Sequence, residues 1–265
     1  MVSIRILVAL AALNLAHGSL AQDEQAVLSS GELPDDYACQ HPPYKVHLVS
    51  KSPLVLYIED FLTRHERLHL QDLAHGNFKH SAVLGTAGAH TIHSVRTSQS
   101  TTVARDDLVR CIEARAIDMQ GFAVPEYHLE PIQLVKYAPT ERYHFHTDWF
   151  TDASQTTASL GGNRLSSFFA YVKADNVTGG GTNFPMLHAP RDDRWCDLID
   201  CDDEYDNGVT FLPIEGNAIY WENLLVNGAG DQRTLHAGLP LVSGEKIGMN
   251  IWTRQAPLSV EVRGE

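Results

Sequence analysis

The chain has 265 residues with 43% hydrophobic content, enough to bury one large core or two small ones. Twenty basic against 33 acidic side chains give a formal net charge of −13, which argues against a phosphate-tracking surface and so against nucleic-acid binding. Beyond the N-terminus no apolar run approaches the roughly 20 residues of a spanning helix, so no stable membrane insertion is expected after signal cleavage.

The first segment reads as a targeting signal. Arg5 precedes an apolar run over 6–15, too short to span, and Ser19 and Ala21 place small residues ahead of a cleavage site. Residues 1–21 are therefore expected to be a signal peptide, with the mature chain in the endoplasmic reticulum lumen or secreted. Asn176-Val-Thr178 is a glycosylation sequon, which suits that compartment. So do four cysteines, which allow three pairings; Cys196 with Cys201 and Cys39 with Cys111 are the expected ones, although spacing proves neither.

Residues 22–52 read as a polar leader and 53–256 as one domain. Thr63-x-x-Glu66 has the form of a capping box, with Leu68 and Leu73 on the turns that follow, which predicts a helix over 64–75. A second helix is signalled by Asp106-Asp107 in its first turn, by Leu108, Ile112 and Ala116 at four-residue spacing, and by Gly121 beyond its end. From residue 130 the pattern changes to short β-rich segments, clearest at 132–137, 167–172, 209–212, 217–221 and 246–252. Helices first and strands afterwards predict an α+β protein with a jelly roll over about 130–254. No Gly-rich dinucleotide loop, phosphate loop or Gly-x-Ser-x-Gly elbow is present, and those enzyme classes drop out.

The chemistry-bearing residues lie on the strands. In His146-Thr-Asp148 an extended backbone would aim positions i and i+2 to one side, and His236 follows 90 residues later, just before the turn formers Gly238 and Pro240. Two imidazoles and a carboxylate form the facial triad that holds Fe(II) with positions left open, although structural histidines fit the same pattern. Lys246 stands ten residues after His236 inside an otherwise apolar strand. It either faces solvent at a sheet edge or is buried against an anion.

With these residues the chain resembles the prolyl 4-hydroxylase family of Fe(II)- and 2-oxoglutarate-dependent dioxygenases, over about residues 53–254. Seven collinear motifs carry the likeness: Ser94-Val-Arg96-Thr-Ser98, Glu130 through Tyr137, Tyr143-x-x-His146-x-Asp148, Gly179-Gly-Gly-Thr182-Asn-Phe184-Pro185, Gly216 through Trp221, Leu235-His236-Ala-Gly, and Lys246. The resemblance implies a double-stranded β-helix supported by N-terminal helices, with His146, Asp148 and His236 as iron ligands. It further implies that Lys246 and Thr182 meet the far carboxylate of 2-oxoglutarate, that Tyr137 lines that pocket, and that O2 and ascorbate take part. Arg96, Ser98, Glu130, Tyr143, Arg164 and Trp252 sit where family members contact a proline-rich peptide in polyproline II form. Arg254 departs from plant and algal members, which usually have His there.

The implied reaction is hydroxylation of an unactivated C–H, peptidyl proline foremost, with release of succinate and CO2. A small-molecule substrate on the same scaffold and a catalytically inactive binding module are the other readings. Residues 192–206 hold eight acids in fifteen positions. Asp202, Glu204 and Asp206 alternate as in a calcium loop, but Gly208 falls one place late and no glutamate follows at the required distance, so a solvated loop stapled by Cys196 and Cys201 is expected. Fungal members of the family carry a similar Trp-Cys and acidic stretch.

Overall fold

A computed structural model describes residues 33, 37–81, 83–84, 90–91, 97–121, 124–190, 192–203 and 207–263. Residues 1–21, expected to be a signal peptide, and Arg96 lie outside these residues. Among the described residues fourteen strands run in chain order: β1 Lys45–Lys51, β2 Leu54–Glu59, β3 Lys79–His80, β4 Val83–Leu84, β5 His90–Thr91, β6 Gln99–Thr102, β7 Gln133–Tyr137, β8 Tyr143–His146, β9 Arg164–Gly179, β10 Thr182–Phe184, β11 Val209–Phe211, β12 Ala218–Glu222, β13 His236–Gly238 and β14 Leu241–Arg254. Helices α1 (Arg64–Ala74) and α2 (Asp107–Met119) interrupt them, and a short α3 (Val260–Arg263) follows.

The strands form an eight-stranded sheet, β1-β2-β12-β9-β14-β7-β6-β3, facing a four-stranded sheet, β11-β10-β13-β8, with β4 and β5 paired apart. Every pairing is antiparallel, so this is a double-stranded β-helix. The large sheet is buried on both faces, which explains the unbroken apolar run in β9. Phe168, Ala170 and Val172 point outward to Leu70 and Ala74 of α1 and to Leu108, Ile112 and Ala116 of α2. Phe169 and Tyr171 point inward with Phe184, Phe211 and Trp221. Alternation along β14 does the same: Ile247, Met249 and Ile251 join the helix layer, which leaves Lys246, Gly248, Asn250 and Trp252 on the inner face.

The predicted helices form where their caps place them. Thr63 Oγ1 accepts from Glu66 N at 3.2 Å while Glu66 Oε2 accepts from Thr63 N at 2.8 Å, and Asp106 Oδ1 accepts from Val109 N at 2.9 Å. Glu66 also pairs with the fully buried Arg115, which locks α1 to α2.

The expectation of helices before strands is corrected, because β1 and β2 precede α1 and β3–β6 lie between the helices. The leader ends earlier than the sequence suggests: 45–51 form the edge strand β1, folded back on β2, and Cys39 is tied to Cys111 on α2. The second bridge joins Cys196 to Cys201. Asn176 sits exposed at a left-handed position, φ 50°, where β9 bulges.

Candidate metal centre and co-substrate cavity

The two sheets converge on one cavity of about 1020 Å³, at whose base His146, Asp148 and His236 meet. His146 ends β8 and is paired in register with His236 at the start of β13. Asp148 lies just past the end of β8, so its position comes from a turn and not from strand alternation. Asp148 Oδ1 is 3.8 Å from His146 Nε2 and 4.0 Å from His236 Nε2, and the imidazole centroids are 4.2 Å apart.

The donor chemistry fits one divalent ion. His146 Nδ1 lies 2.8 Å from His144 O and His236 Nδ1 lies 2.9 Å from Thr234 O. A carbonyl only accepts, so each Nδ1 carries the proton and each Nε2 turns its lone pair toward Asp148 Oδ1. The other carboxylate oxygen is occupied: Oδ2 accepts from Ser167 Oγ at 2.6 Å and from Trp252 Nε1 at 3.0 Å. Burial alone would raise the Asp148 pKa, but positive charge on His236 and His146 when the imidazoles are protonated, with Arg164 and the Ser167 hydroxyl, outweighs it and holds the carboxyl well below the usual carboxylate range. Among the described residues the other cluster of potential donors, Cys39, His41 and Cys111, is no metal site because its cysteines form a disulfide.

Aromatic rings fix both imidazoles. Tyr143 stacks on His146 at 3.6 Å, while Phe184 and Trp221 lie 5.3 and 4.8 Å from His236.

Lys246 lies opposite Tyr137 in the β14/β7 register and is fully buried. Its Nζ donates to Gly180 O and stands 4.4 Å from the Tyr137 ring centroid and 5.9 Å from that of Phe169. Both rings line the cavity, so the ammonium sits directly behind the wall. Phe169 can lie there because Gly248 has no side chain; a Cβ on Gly248 would come within 2.2 Å of the ring. With no carboxylate among the described residues acting on it, burial pulls the Lys246 pKa down to about 7. Thr182 also lines the cavity, and its Oγ1 accepts from Tyr171 OH at 2.9 Å.

The remaining predicted residues divide. Glu130, Tyr143, Arg164 and Trp252 line the cavity. Arg164 grips Glu130 through Nε and Nη2, both at 2.8 Å, and its guanidinium covers Trp252 at 3.6 Å. Arg254 joins them, with Nη1 3.2 Å from Glu130 Oε1 and Nη2 donating to Gln155 O and Leu160 O. Desolvation would raise the Glu130 pKa, but the two guanidinium groups reverse the sign and keep it ionised. Ser98 is fully buried away from the cavity lining, its backbone oxygen accepting from Ser81 N at 3.0 Å. Ser167 and Asn223 lie in none of the motifs; their parts in the site come from cross-strand neighbours.

Residues 132–254 match the profile of the 2OG-Fe(II) oxygenase superfamily. The chain is 33% identical over 218 residues to the Probable prolyl 4-hydroxylase 4 of Arabidopsis thaliana, covering 79% of this chain and 70% of that protein. It is 31% identical over 221 residues to Prolyl 4-hydroxylase 1 of the same plant, covering 81% and 74%. The crystal structure of the viral collagen prolyl hydroxylase from Paramecium Bursaria Chlorella virus-1, in its 2OG complex, shares the fold with a TM-score of 0.52 and 21% identity over 82% of this chain and 99% of that one. The chain therefore belongs to the prolyl 4-hydroxylase family of 2-oxoglutarate-dependent dioxygenases, whose chemistry uses Fe(II), 2-oxoglutarate and O2.

Proposed function

We propose that this enzyme hydroxylates peptidyl proline at C4 in proline-rich chains passing through the secretory pathway. The observation that carries the reading is one cavity whose lining brings together a triad of two histidines and a carboxylate, two rings with a buried lysine behind them, and the side chains of Tyr143, Trp252 and Arg164. Fe(II) held by His146, Asp148 and His236 would, with 2-oxoglutarate and O2, supply oxidative decarboxylation to succinate and CO2 and insertion of oxygen into a C–H bond. Every other task falls to the chain. Lys246 and Thr182 would take the far carboxylate of 2-oxoglutarate, with Tyr137 against its carbon chain.

Tyr143, Glu130, Arg164 and Trp252 form an aromatic and polar wall suited to a polyproline II peptide, a conformer already populated before binding. Arg254 backs that wall from within, with Nη1 3.2 Å from Glu130 Oε1. No side chain is needed as a general base; the protein places one C–H and excludes others. The relatives' names, which specify proline hydroxylation, support this substrate. The 1–21 segment, the exposed Asn176 sequon and two disulfides support the compartment. Ascorbate would serve as the reductant that restores iron oxidised in uncoupled turnovers.

Mass spectrometry tests the substrate. Proline-rich peptides incubated with enzyme, Fe(II), 2-oxoglutarate, O2 and ascorbate are expected to gain one oxygen atom as 4-hydroxyproline. No hydroxylated peptide across varied sequences, together with brisk oxidation of a small metabolite, would replace this reading with the small-molecule one.

A further inference from the structure

Behind Asp148, Ser167 Oγ and Trp252 Nε1 converge on one atom, Oδ2, and Asn223 stands behind Ser167. β12, β9 and β14 are neighbours, and their registers place Trp221 opposite Ser167 and Ser167 opposite Trp252, one row across the sheet. Asn223, just past β12, accepts from Trp221 Nε1 at 2.9 Å and donates from Nδ2 to Ser167 Oγ at 2.8 Å. Ser167 has one proton, and with Asn223 donating to its oxygen that proton goes to Asp148 Oδ2. The Trp252 N–H, which can only donate, reaches the same oxygen. Asn223 and Ser167 are fully buried.

We infer that Trp252, Ser167 and Asn223 form a brace that makes Asp148 a one-oxygen ligand, with Oδ2 consumed by protein donors and Oδ1 alone turned to the metal. The inference rests on His146, Asp148 and His236 being the metal ligands. A carboxylate free to rotate could place both oxygens on the ion and close a position that co-substrate and O2 require. The brace prevents that rotation from two sides, both anchored in the centre of the large sheet. Arg164 reinforces it, since its guanidinium lies over the Trp252 indole at 3.6 Å and Nη1 reaches Asp148 O at 3.4 Å. Trp252 is on this view a positioning residue for Asp148, whatever contact its exposed edge makes with substrate.

The test uses Co(II) alone, titrated into metal-free full-length protein and followed by its visible ligand-field absorption. Trp252→Phe keeps a ring for Arg164 but removes the N–H; Ser167→Ala removes the hydroxyl and Ser167→Thr restores it. Each removal is expected to weaken Co(II) binding by about 10- to 100-fold and to change the absorption spectrum toward higher coordination, with Ser167→Thr recovering both. Far-UV circular dichroism confirms that each variant is folded, and if Trp252→Phe is not, the Ser167 pair decides alone. Wild-type affinity and an unchanged spectrum in the folded N–H- and hydroxyl-deleted variants would overturn the brace. Failure of wild type to bind Co(II), or undiminished binding by His236→Ala, would instead defeat the triad as the metal site.

Discussion

The two ends of the cavity are built on opposite principles. At the metal end every protein donor is committed: both Nδ1 protons to carbonyls, Asp148 Oδ2 to Ser167 and Trp252, and the imidazoles to stacked rings. What is left over is three lone-pair-bearing atoms aimed inward. At the Lys246 end a fully buried cation has one carbonyl and two ring faces for company, and burial has already pulled its pKa to about 7. The first end is complete except for an ion, whereas the second is electrostatically unfinished without an anion. A chelating dianion of the proposed kind, reaching from the metal to the ammonium, would complete both.

The largest effects should come from breaking the finished end. His146→Ala, Asp148→Ala and His236→Ala are each expected to abolish succinate formation while leaving a folded protein, as measured by turnover and circular dichroism. Asp148→Glu should fail almost as completely, because the longer arm carries its carboxylate away from the Ser167 and Trp252 donors. Substantial turnover in any alanine variant would remove that residue from the site.

The unfinished end should respond next. If Lys246 takes the far carboxylate of 2-oxoglutarate as proposed, Lys246→Ala would leave it unpaired, a loss of roughly 2–5 kcal/mol, and the apparent affinity should fall by tens to thousands of fold in calorimetric titration. Lys246→Arg should recover part of it, since the guanidinium is wider and its fork is aimed differently. Unchanged 2-oxoglutarate affinity in the alanine variant would make Lys246 a structural residue only.

A smaller, graded effect sharpens the contrast through pH. Below about 7 Lys246 is already protonated and 2-oxoglutarate binds without proton uptake. Above it, pairing with a carboxylate raises the ammonium pKa, so binding must take up a proton. Apparent affinity should then drop as pH rises, by up to about tenfold per pH unit, and Lys246→Arg should flatten that slope.

The smallest effect is expected on the substrate wall. Glu130→Gln removes the carboxylate shared by Arg164 and Arg254, and should raise peptide KM a few-fold while leaving peptide-free decarboxylation of 2-oxoglutarate nearly intact. Equal losses in both would place Glu130 in support of the metal centre instead.

Much of this was legible in the chain. The Thr63 capping box and the acidic Asp106-Asp107 pair marked α1 and α2, because end signals are local, although the structure makes Asp106 the N-cap and leaves only Asp107 in the first turn. The apolar runs in β9 and β14 marked the doubly buried strands, although both extend further than their apolar cores, through bulges that polar residues disguise. The strands that present the site were not legible: β8, β10 and β13 are three or four residues long and read His, Thr and Gly where an apolar alternation would be sought. β1 was hidden by its edge position, with Val46 and Leu48 exposed. Motif order brought His146, Asp148, His236 and Lys246 forward as a set. Ser167 and Asn223 stayed invisible because their roles exist only through cross-strand register.

The most direct test of the two-ended cavity is anaerobic titration of 2-oxoglutarate into the Fe(II)-loaded enzyme, following the metal-to-ligand charge-transfer absorption that chelation of a 2-oxo acid produces. The band should appear in wild type, be absent in His236→Ala and Asp148→Ala, and require tens to thousands of times more 2-oxoglutarate in Lys246→Ala. A full-strength band in a triad variant, or an unshifted midpoint in Lys246→Ala, would contradict it.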